Sequence, residues 1–408
     1  IDRLGVGDDG LGDQLAAKAD FDFYRAAPSG GYTKGLPERE RTDTGSGDIL
    51  PEVLGRDFFV YRPFNLSCSP TIVNLARLTN MVQRAMSSGK YAGAIWLEGS
   101  PSVEETVYWL SLLIDTDVPI CGNASQRAHG SLSNDGDFNI VDSVDYIASR
   151  IWAGEDGRDT VGGVLIQDEQ IFTSRDVQKA DARPGGYVAT GGHGGIVGSM
   201  GHPGPARLTF RPVTKHTFCS AVNMRQLPNK VFGSGLADGR VRQVEVQVKD
   251  PNGDLLADAI PAVNIVKTAR FLNEEPGSDP SSEMDILARI EQNLREAPLA
   301  GFVAEGSAPY GSMTEPVAAA LHRAALRGMP FVRVGRGNIA GFTSPPSGRD
   351  LAVAGSNLTA TKARLLLMAC LLRYGGLPPA ADPDHPTREE LQRMHAKLAE
   401  YQAVFDAH

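Results

Sequence analysis

The sequence of 408 residues has no apolar run long enough to span a bilayer, so a membrane-spanning helix is not expected. It has no Cys-x-x-Cys pair and no His-Glu-x-x-His arrangement, and its eight histidines show no ligand spacing, so neither a metal site nor a cofactor is expected. The four cysteines, Cys68, Cys121, Cys219 and Cys370, are widely scattered. They read as free, mostly buried thiols of a reducing compartment, which makes the cytoplasm the expected location and the periplasm its alternative. A basic stripe is also missing. With 40 Lys and Arg against 49 Asp and Glu the net charge is -9, and a nucleic-acid partner is not expected. The chain opens at Ile1 with neither an initiator Met nor a signal peptide, so further sequence is expected upstream.

What is present fits a soluble α/β enzyme. The hydrophobic fraction of 41% and charged fraction of 22% are ordinary for a globular chain. The 45 Gly and 26 Pro supply many tight turns and close backbone approaches. The length exceeds what one hydrophobic core usually supports, so two domains are expected. Their boundaries are placed at 1–227, with 1–48 mostly loop or lid, a linker with an inserted hairpin at 228–261, and 262–408.

Strands and helices alternate after the loop-rich start. A short strand is expected at 57–61, a helix at Thr71–Ser88, a buried strand at Ala92–Leu97 and a helix from Ser102 to about Leu113. Ser102-Val103-Glu104-Glu105 reads as a capping box opening that helix. Further strands are expected at Val118–Gly122 and Val161–Gln167, with a helix at Val141–Trp152 between them. This alternation predicts a largely parallel sheet with crossover helices. The second domain is expected to hold strands at Val263–Val266, Gly301–Ala304 and Phe331–Val334. Its helices are expected at Ser282–Leu294, Glu315–Leu326, Thr359–Tyr374 and Thr387–Ala407, the last docked on the surface. The glycine-rich stretch Gly185–Gly201 lacks the lysine and the strand-to-helix frame of a phosphate loop. It reads instead as backbone packing beside a site or as a subunit contact.

Three segments in register carry a resemblance. The first runs through Gly99-Ser100-Pro101-Ser102-Val103-Glu104-Glu105-Thr106, Val118-Pro119-Ile120 and Ser133-Asn134-Asp135-Gly136-Asp137-Phe138-Asn139-Ile140. The second is Arg175-Asp176-Val177-Gln178-Lys179. The third is Ala354-Gly355-Ser356-Asn357-Leu358 followed by Lys362-Ala363-Arg364-Leu365-Leu366-Leu367. Together they resemble the L-asparaginase/glutaminase family, from about Ser67 to Tyr374. The resemblance implies an α/β N-terminal domain, a smaller flavodoxin-like α/β C-terminal domain, and a homo-oligomer, dimer or tetramer, acting on a small-molecule amide.

Amide hydrolysis needs a nucleophile, a base and donors for the developing oxyanion. Ser100 stands where the family has a reacting Thr and keeps the hydroxyl. It follows a parallel strand and precedes a helix N-terminus, where α/β folds bind ligands. Lys179 matches the family's catalytic Lys, and a lysine near a hydroxyl can act as its base. Arg175 and Asp176 read as structural. Ser67, Gly99 and, in a lid-like Tyr32-Thr33, Tyr32 are expected as substrate contacts.

Two departures change the expected substrate. Pro101 stands where the family has the Asp that binds the substrate's α-ammonium group, and Cys68 stands where it has a Gln. Losing a charge-paired hydrogen bond costs about 1.5–3 kcal/mol. The expected substrate is therefore a linear or cyclic amide without an α-ammonium group, not asparagine itself. The family's first-strand Thr-Gly-Gly-Thr-Ile segment is also missing from these residues. Either it lies upstream of Ile1, or Ser100 and Lys179 work alone. No counterpart of the acid completing the family's first triad is evident, with Glu305 and Asp350 as candidates. The competing expectation is a catalytically weak relative that binds a small molecule or a partner protein.

Overall fold

The computed structural model describes residues 71–127, 135–190, 195–201, 204–268, 279–308, 310–337 and 350–408. The expected strand at 57–61, and with it Tyr32, Thr33, Ser67 and Cys68, lies outside the described residues.

The first described elements are helix α1 (Ile72–Ser87), strand β1 (Ala94–Leu97), helix α2 (Val103–Leu113), strand β2 (Ile120–Asn123), helix α3 (Gly136–Ser149) and strand β3 (Val164–Gln167). Strands β1, β2 and β3 are parallel neighbours, as the alternation of strand and helix requires. The chain then reverses at Asp168 and Glu169, both with positive φ (51° and 62°), so strand β4 (Gln170–Thr173) runs antiparallel to β3. A two-residue turn with φ positive at both positions matches strand twist and leaves no room for a crossover. Strands β7 (Ile196–Ser199) and β8 (Arg207–Leu208) extend the antiparallel half, giving the order β1-β2-β3-β4-β7-β8. The α/β class holds, and among the described residues the parallel half of this sheet is β1-β2-β3.

Strands β5 (Val177–Lys179) and β6 (Tyr187–Ala189) form a separate antiparallel pair, and β9 (Lys230–Ala237) with β10 (Arg240–Gln247) forms a hairpin closed at Asp238-Gly239. The C-terminal sheet has four parallel strands, β11 (Ala262–Lys267), β12 (Ala300–Gly306), β13 (Phe331–Gly335) and β14 (Ala352–Ala354). Helices α4 (Met284–Glu296), α5 (Glu315–Leu326), α6 (Ala360–Tyr374) and α7 (Arg388–Ala407) accompany it. The expected flavodoxin-like layer appears in its parallel strands and alternating helices. Its order among the described residues is sequential, because each connection steps to the adjacent position. Gln402 of α7 exchanges two hydrogen bonds with the main chain of Ala354, at 2.8 and 3.2 Å, and so covers part of an edge strand.

Helix α2 is apolar on nearly every side, and such a helix must be buried on every side. It packs on β2 below and on α6 of the C-terminal region above. Gly122 of β2 makes the lower contact close, since a Cβ there would lie 2.4 Å from a Val107 methyl. Trp109 Nε1 donates to Thr79 Oγ1 of α1 at 2.8 Å, with both side chains fully buried. Helix α3 starts five residues before the expected Val141. Its first inward residue is Asn139, which has no apolar signal but is fully buried and bonded to the Ala124 carbonyl at 2.9 Å.

Asp159 shapes the approach to β3. Its carboxylate accepts from the N–H groups of Val161 (2.9 Å) and Gly162 (3.1 Å), and no part of the residue is exposed. Burial pushes its pKa up to about 7 against the pull of those two N–H groups. The folded chain therefore holds this proton more tightly than the unfolded chain, whose value is 3.8. The associated stability is full below pH 3.8 and is lost as the pH rises through 7, by about 4 kcal/mol on an order-of-magnitude basis. Asp159→Asn is expected to flatten the fall in stability between pH 4 and 7 and to raise the thermal midpoint at pH 8. Parallel stability-versus-pH curves for the two proteins would contradict this.

Candidate active site

Ser100 stands in the turn between β1 and α2, at the carboxyl end of a parallel strand. Its Oγ lies 2.5 Å from Lys179 Nζ, although the two residues are 79 positions apart in the chain. Both residues are partly exposed. Lys179 arrives at the end of β5, and Tyr187 pairs with it across the ladder from β6. The Tyr187 hydroxyl donates to the Ser100 carbonyl at 2.8 Å. Burial, reinforced by the carboxylates of Glu104, Asp135 and Glu98, pushes the Tyr187 phenol well above its ordinary value and keeps it a donor.

The capping box expected at Ser102 does not form. Ser102 has φ -124° and ψ -17°, outside the extended region an N-cap adopts, and its side chain makes no cap bond. The Gly99 carbonyl instead takes the N–H groups of Ser102 (3.1 Å) and Val103 (3.2 Å). Those two N–H groups at the helix start are thus already partnered. Gly99 itself is exposed and uncrowded, since a Cβ there would meet only Pro101 Cδ at 3.7 Å. Glu104 turns inward, to 8% exposure, and its Oε2 accepts the main-chain N–H of Lys179. Burial pushes the Glu104 carboxyl up, while the Lys362 ammonium and the Lys179 N–H pull it back.

Lys362 is fully buried on α6. Its Nζ donates to the carbonyl of Glu104 at 2.5 Å and to the carbonyl of Ser174 at 2.7 Å. The residue in the third matched segment therefore holds main chain from the first segment and from the turn opening the second. Arg175 adds a second tie, bonded to Asp176 (2.6 Å) and to Asn357 Oδ1 (2.8 Å) in the Ser356-Asn357 turn. Asp176 in turn accepts from Thr173 Oγ1 at 2.8 Å. Arg175 and Asp176 thus have bonded structural partners.

Asp135, in the first segment, gathers another loop. Its carboxylate accepts from Ser125 Oγ (3.0 Å), the N–H of Gln126 (3.0 and 3.1 Å), the N–H of Arg127 (2.9 Å) and Gln167 Nε2 (2.6 Å). Burial alone would raise its pKa, but these donors outweigh it and hold the carboxyl below its usual value. Glu305 pairs with Lys267 and Arg336, and Asp350 with His322 and Arg333. No bond links either acid to the Ser100–Lys179 pair among the described residues. Among those residues no group of three His, Cys, Asp or Glu side chains is placed to hold a metal ion, and no helix is long and apolar enough to cross a membrane. Cys121 and Cys370 are buried free thiols, while Cys219 is free and exposed.

Residues 63–192 match the family model for the N-terminal domain of asparaginases. Over that stretch, about a third of its length, the chain is similar to asparaginases. It is 34% identical over 134 residues to an L-asparaginase of Bacillus licheniformis, covering 33% of this chain and 39% of that protein. It is 28% identical over 140 residues to L-asparaginase 2-3 of Saccharomyces cerevisiae, covering 34% and 37%. The chain spans about two fifths of the length of these curated relatives. The solved structure of a probable cytoplasmic L-asparaginase from Campylobacter jejuni superposes with a TM-score of 0.58 at 17% identity, over 84% of this chain and 88% of that one. That likeness establishes a shared fold.

Sequence reasoning placed Ser100 and Lys179 in one site, and the structure brings them into contact. It did not single out Glu104, Tyr187 or Lys362. For Glu104 and Lys362 a signal existed, since both sit inside matched segments. Tyr187 lies outside them.

The buried ammonium of Lys362 yields a test. Burial lowers its pKa from 10.5 to about 8, so below pH 8 it stays charged in the fold. Between about 8 and 10.5 the unfolded chain binds more protons, and stability from this group rises with pH. Lys362→Met removes two buried hydrogen bonds to main-chain carbonyls, but also removes a buried charge. Its stability deficit in urea unfolding is expected to be smaller at pH 7 than at pH 10 and to widen between them. A deficit that stays constant or shrinks over that range would contradict this.

Proposed function

We propose that this protein hydrolyses a small amide, with Ser100 as nucleophile and Lys179 as its base. The observation that carries the reading is the 2.5 Å contact between Ser100 Oγ and Lys179 Nζ at the carboxyl end of β1. In the forward step Lys179 Nζ takes the Ser100 proton as Oγ bonds to the amide carbon. The same proton passes to the amide nitrogen as the carbon–nitrogen bond breaks and ammonia or an amine leaves. Water then attacks the acyl-serine ester, giving the acid and restoring the hydroxyl.

The substrate in this reading carries no α-ammonium group. Pro101, next to Ser100, offers no carboxylate where the resemblance places the Asp that binds an α-ammonium group. A missing charge-assisted bond of about 1.5–3 kcal/mol corresponds to roughly 10- to 150-fold in kcat/KM. Similarity to proteins named L-asparaginase and glutaminase-asparaginase supports the amide class.

Two measurements test this. Ammonia release from succinamic acid, the deaminated analogue of asparagine, is expected to exceed release from asparagine at least tenfold in kcat/KM. Comparable turnover of the two would sink the substrate claim. Lys179→Met is expected to lower kcat by about 10²–10⁴-fold, and Ser100→Ala to abolish turnover, with unchanged thermal midpoints. Wild-type protein silent across a panel of linear and cyclic amides would favour a ligand-binding relative. The proposal retains the dimer or tetramer implied by the resemblance, which light scattering on the purified chain reads directly.

A further inference from the structure

We propose that Glu104 is the positioning residue of the Ser100–Lys179 pair, holding Lys179 by its main chain so that Nζ meets Oγ. The proposal rests on the amide-hydrolase reading of that pair and adds a residue outside the reacting groups.

The geometry is a closed ring of contacts. Ser100 and Glu104 lie four residues apart on one segment, and Lys179 is bonded to both, through Nζ to the Ser100 hydroxyl and through its N–H to Glu104 Oε2. Strand β5 is only three residues long, and its partner β6 lies on one side. The Lys179 N–H points the other way and is met by the Glu104 carboxylate. Without that acceptor a short strand end would be free to shift, and with it a long, flexible lysine side chain. A displacement of about 1 Å between reacting groups can lower a rate about 10²-fold.

Glutamates in the first turn of a helix usually face solvent, where they complement the helix dipole. Glu104 faces inward, whereas its neighbour Glu105 is partly exposed. An inward carboxylate needs compensation. Lys362 supplies it, since its ammonium donates to the Glu104 carbonyl and is the opposite charge that acts most strongly on the carboxylate. The position of Lys179 is thereby fixed through Glu104 to helix α6 of the C-terminal region.

The test compares Glu104→Ala with Glu104→Gln, reading kcat and KM separately for ammonia release from succinamic acid. A Gln side-chain oxygen still accepts the Lys179 N–H, so Glu104→Gln is expected within about fivefold of wild type. Glu104→Ala is expected to lose about 10²-fold in kcat with KM within about twofold. Wild-type kcat in Glu104→Ala, with Ser100→Ala inactive and Lys179→Met lowered at least about 10²-fold, overturns this proposal and leaves the function reading standing. Equal losses in the Ala and Gln variants overturn it as well. Should Glu104→Ala not fold, Glu104→Gln alone decides, since a loss of about 10²-fold there contradicts positioning by a hydrogen bond. If Ser100→Ala keeps full activity, or the wild type releases no ammonia from succinamic acid or related half-amides, both readings fall together.

Discussion

A lysine ammonium with no access to solvent must find acceptors inside the protein, and Lys362 finds two main-chain carbonyls. One belongs to Glu104, at the start of the helix that follows Ser100, and the other to Ser174, ahead of the strand that delivers Lys179. The ammonium can be satisfied only if those two loops stand side by side. Taking such a charge out of water costs several kcal/mol, recovered only with good geometry. The arrangement is therefore demanding, and it specifies where three distant stretches of chain must meet. Helix α2 makes the demand possible. Its apolar surface fills the space between the N-terminal sheet and α6, so the carbonyl of Glu104 lies against the helix that carries Lys362.

The rest of the site follows from that meeting point. With Ser174 fixed, Arg175 reaches Asn357 in the C-terminal region and Asp176 reaches Thr173, which sets the direction of β5. The paired strands β5 and β6 then present Lys179 and Tyr187 together, one to the Ser100 hydroxyl and the other to its carbonyl. Asp135 performs a comparable task on the far side, gathering main-chain N–H groups of residues 126 and 127 and the end of β3. The Ser100–Lys179 pair is thus held by main-chain contacts rather than by side-chain packing around it.

Much of this was legible in the sequence because apolar period reports burial directly. The alternation that predicted β1, α2, β2, β3, the C-terminal strands β11 to β13 and the C-terminal helices reflects cores that exist, while the three-residue β14 was too short to show in it. What periodicity does not carry is polar burial. Asn139 and Glu104 look like surface residues in sequence, and both lie inside because a carbonyl or an N–H needs them there. The reversal at Asp168-Glu169 was hidden for another reason, since neither residue is the glycine or asparagine that usually marks a tight hairpin turn. Ser102 had the composition of a cap but not the backbone angles. The pair Ser100–Lys179 came from the matched segments, and only three-dimensional contact shows what holds it.

The central claim is that Ser100, held against Lys179, is the group that bonds to the substrate. The most direct measurement is peptide mass mapping of the protein quenched during turnover of a slow activated half-amide, with Lys179→Met as control. The account predicts the acyl mass on the peptide containing Ser100 in the wild type and its absence in the control. Acyl mass on a different residue, with the Ser100 peptide unmodified, would contradict it.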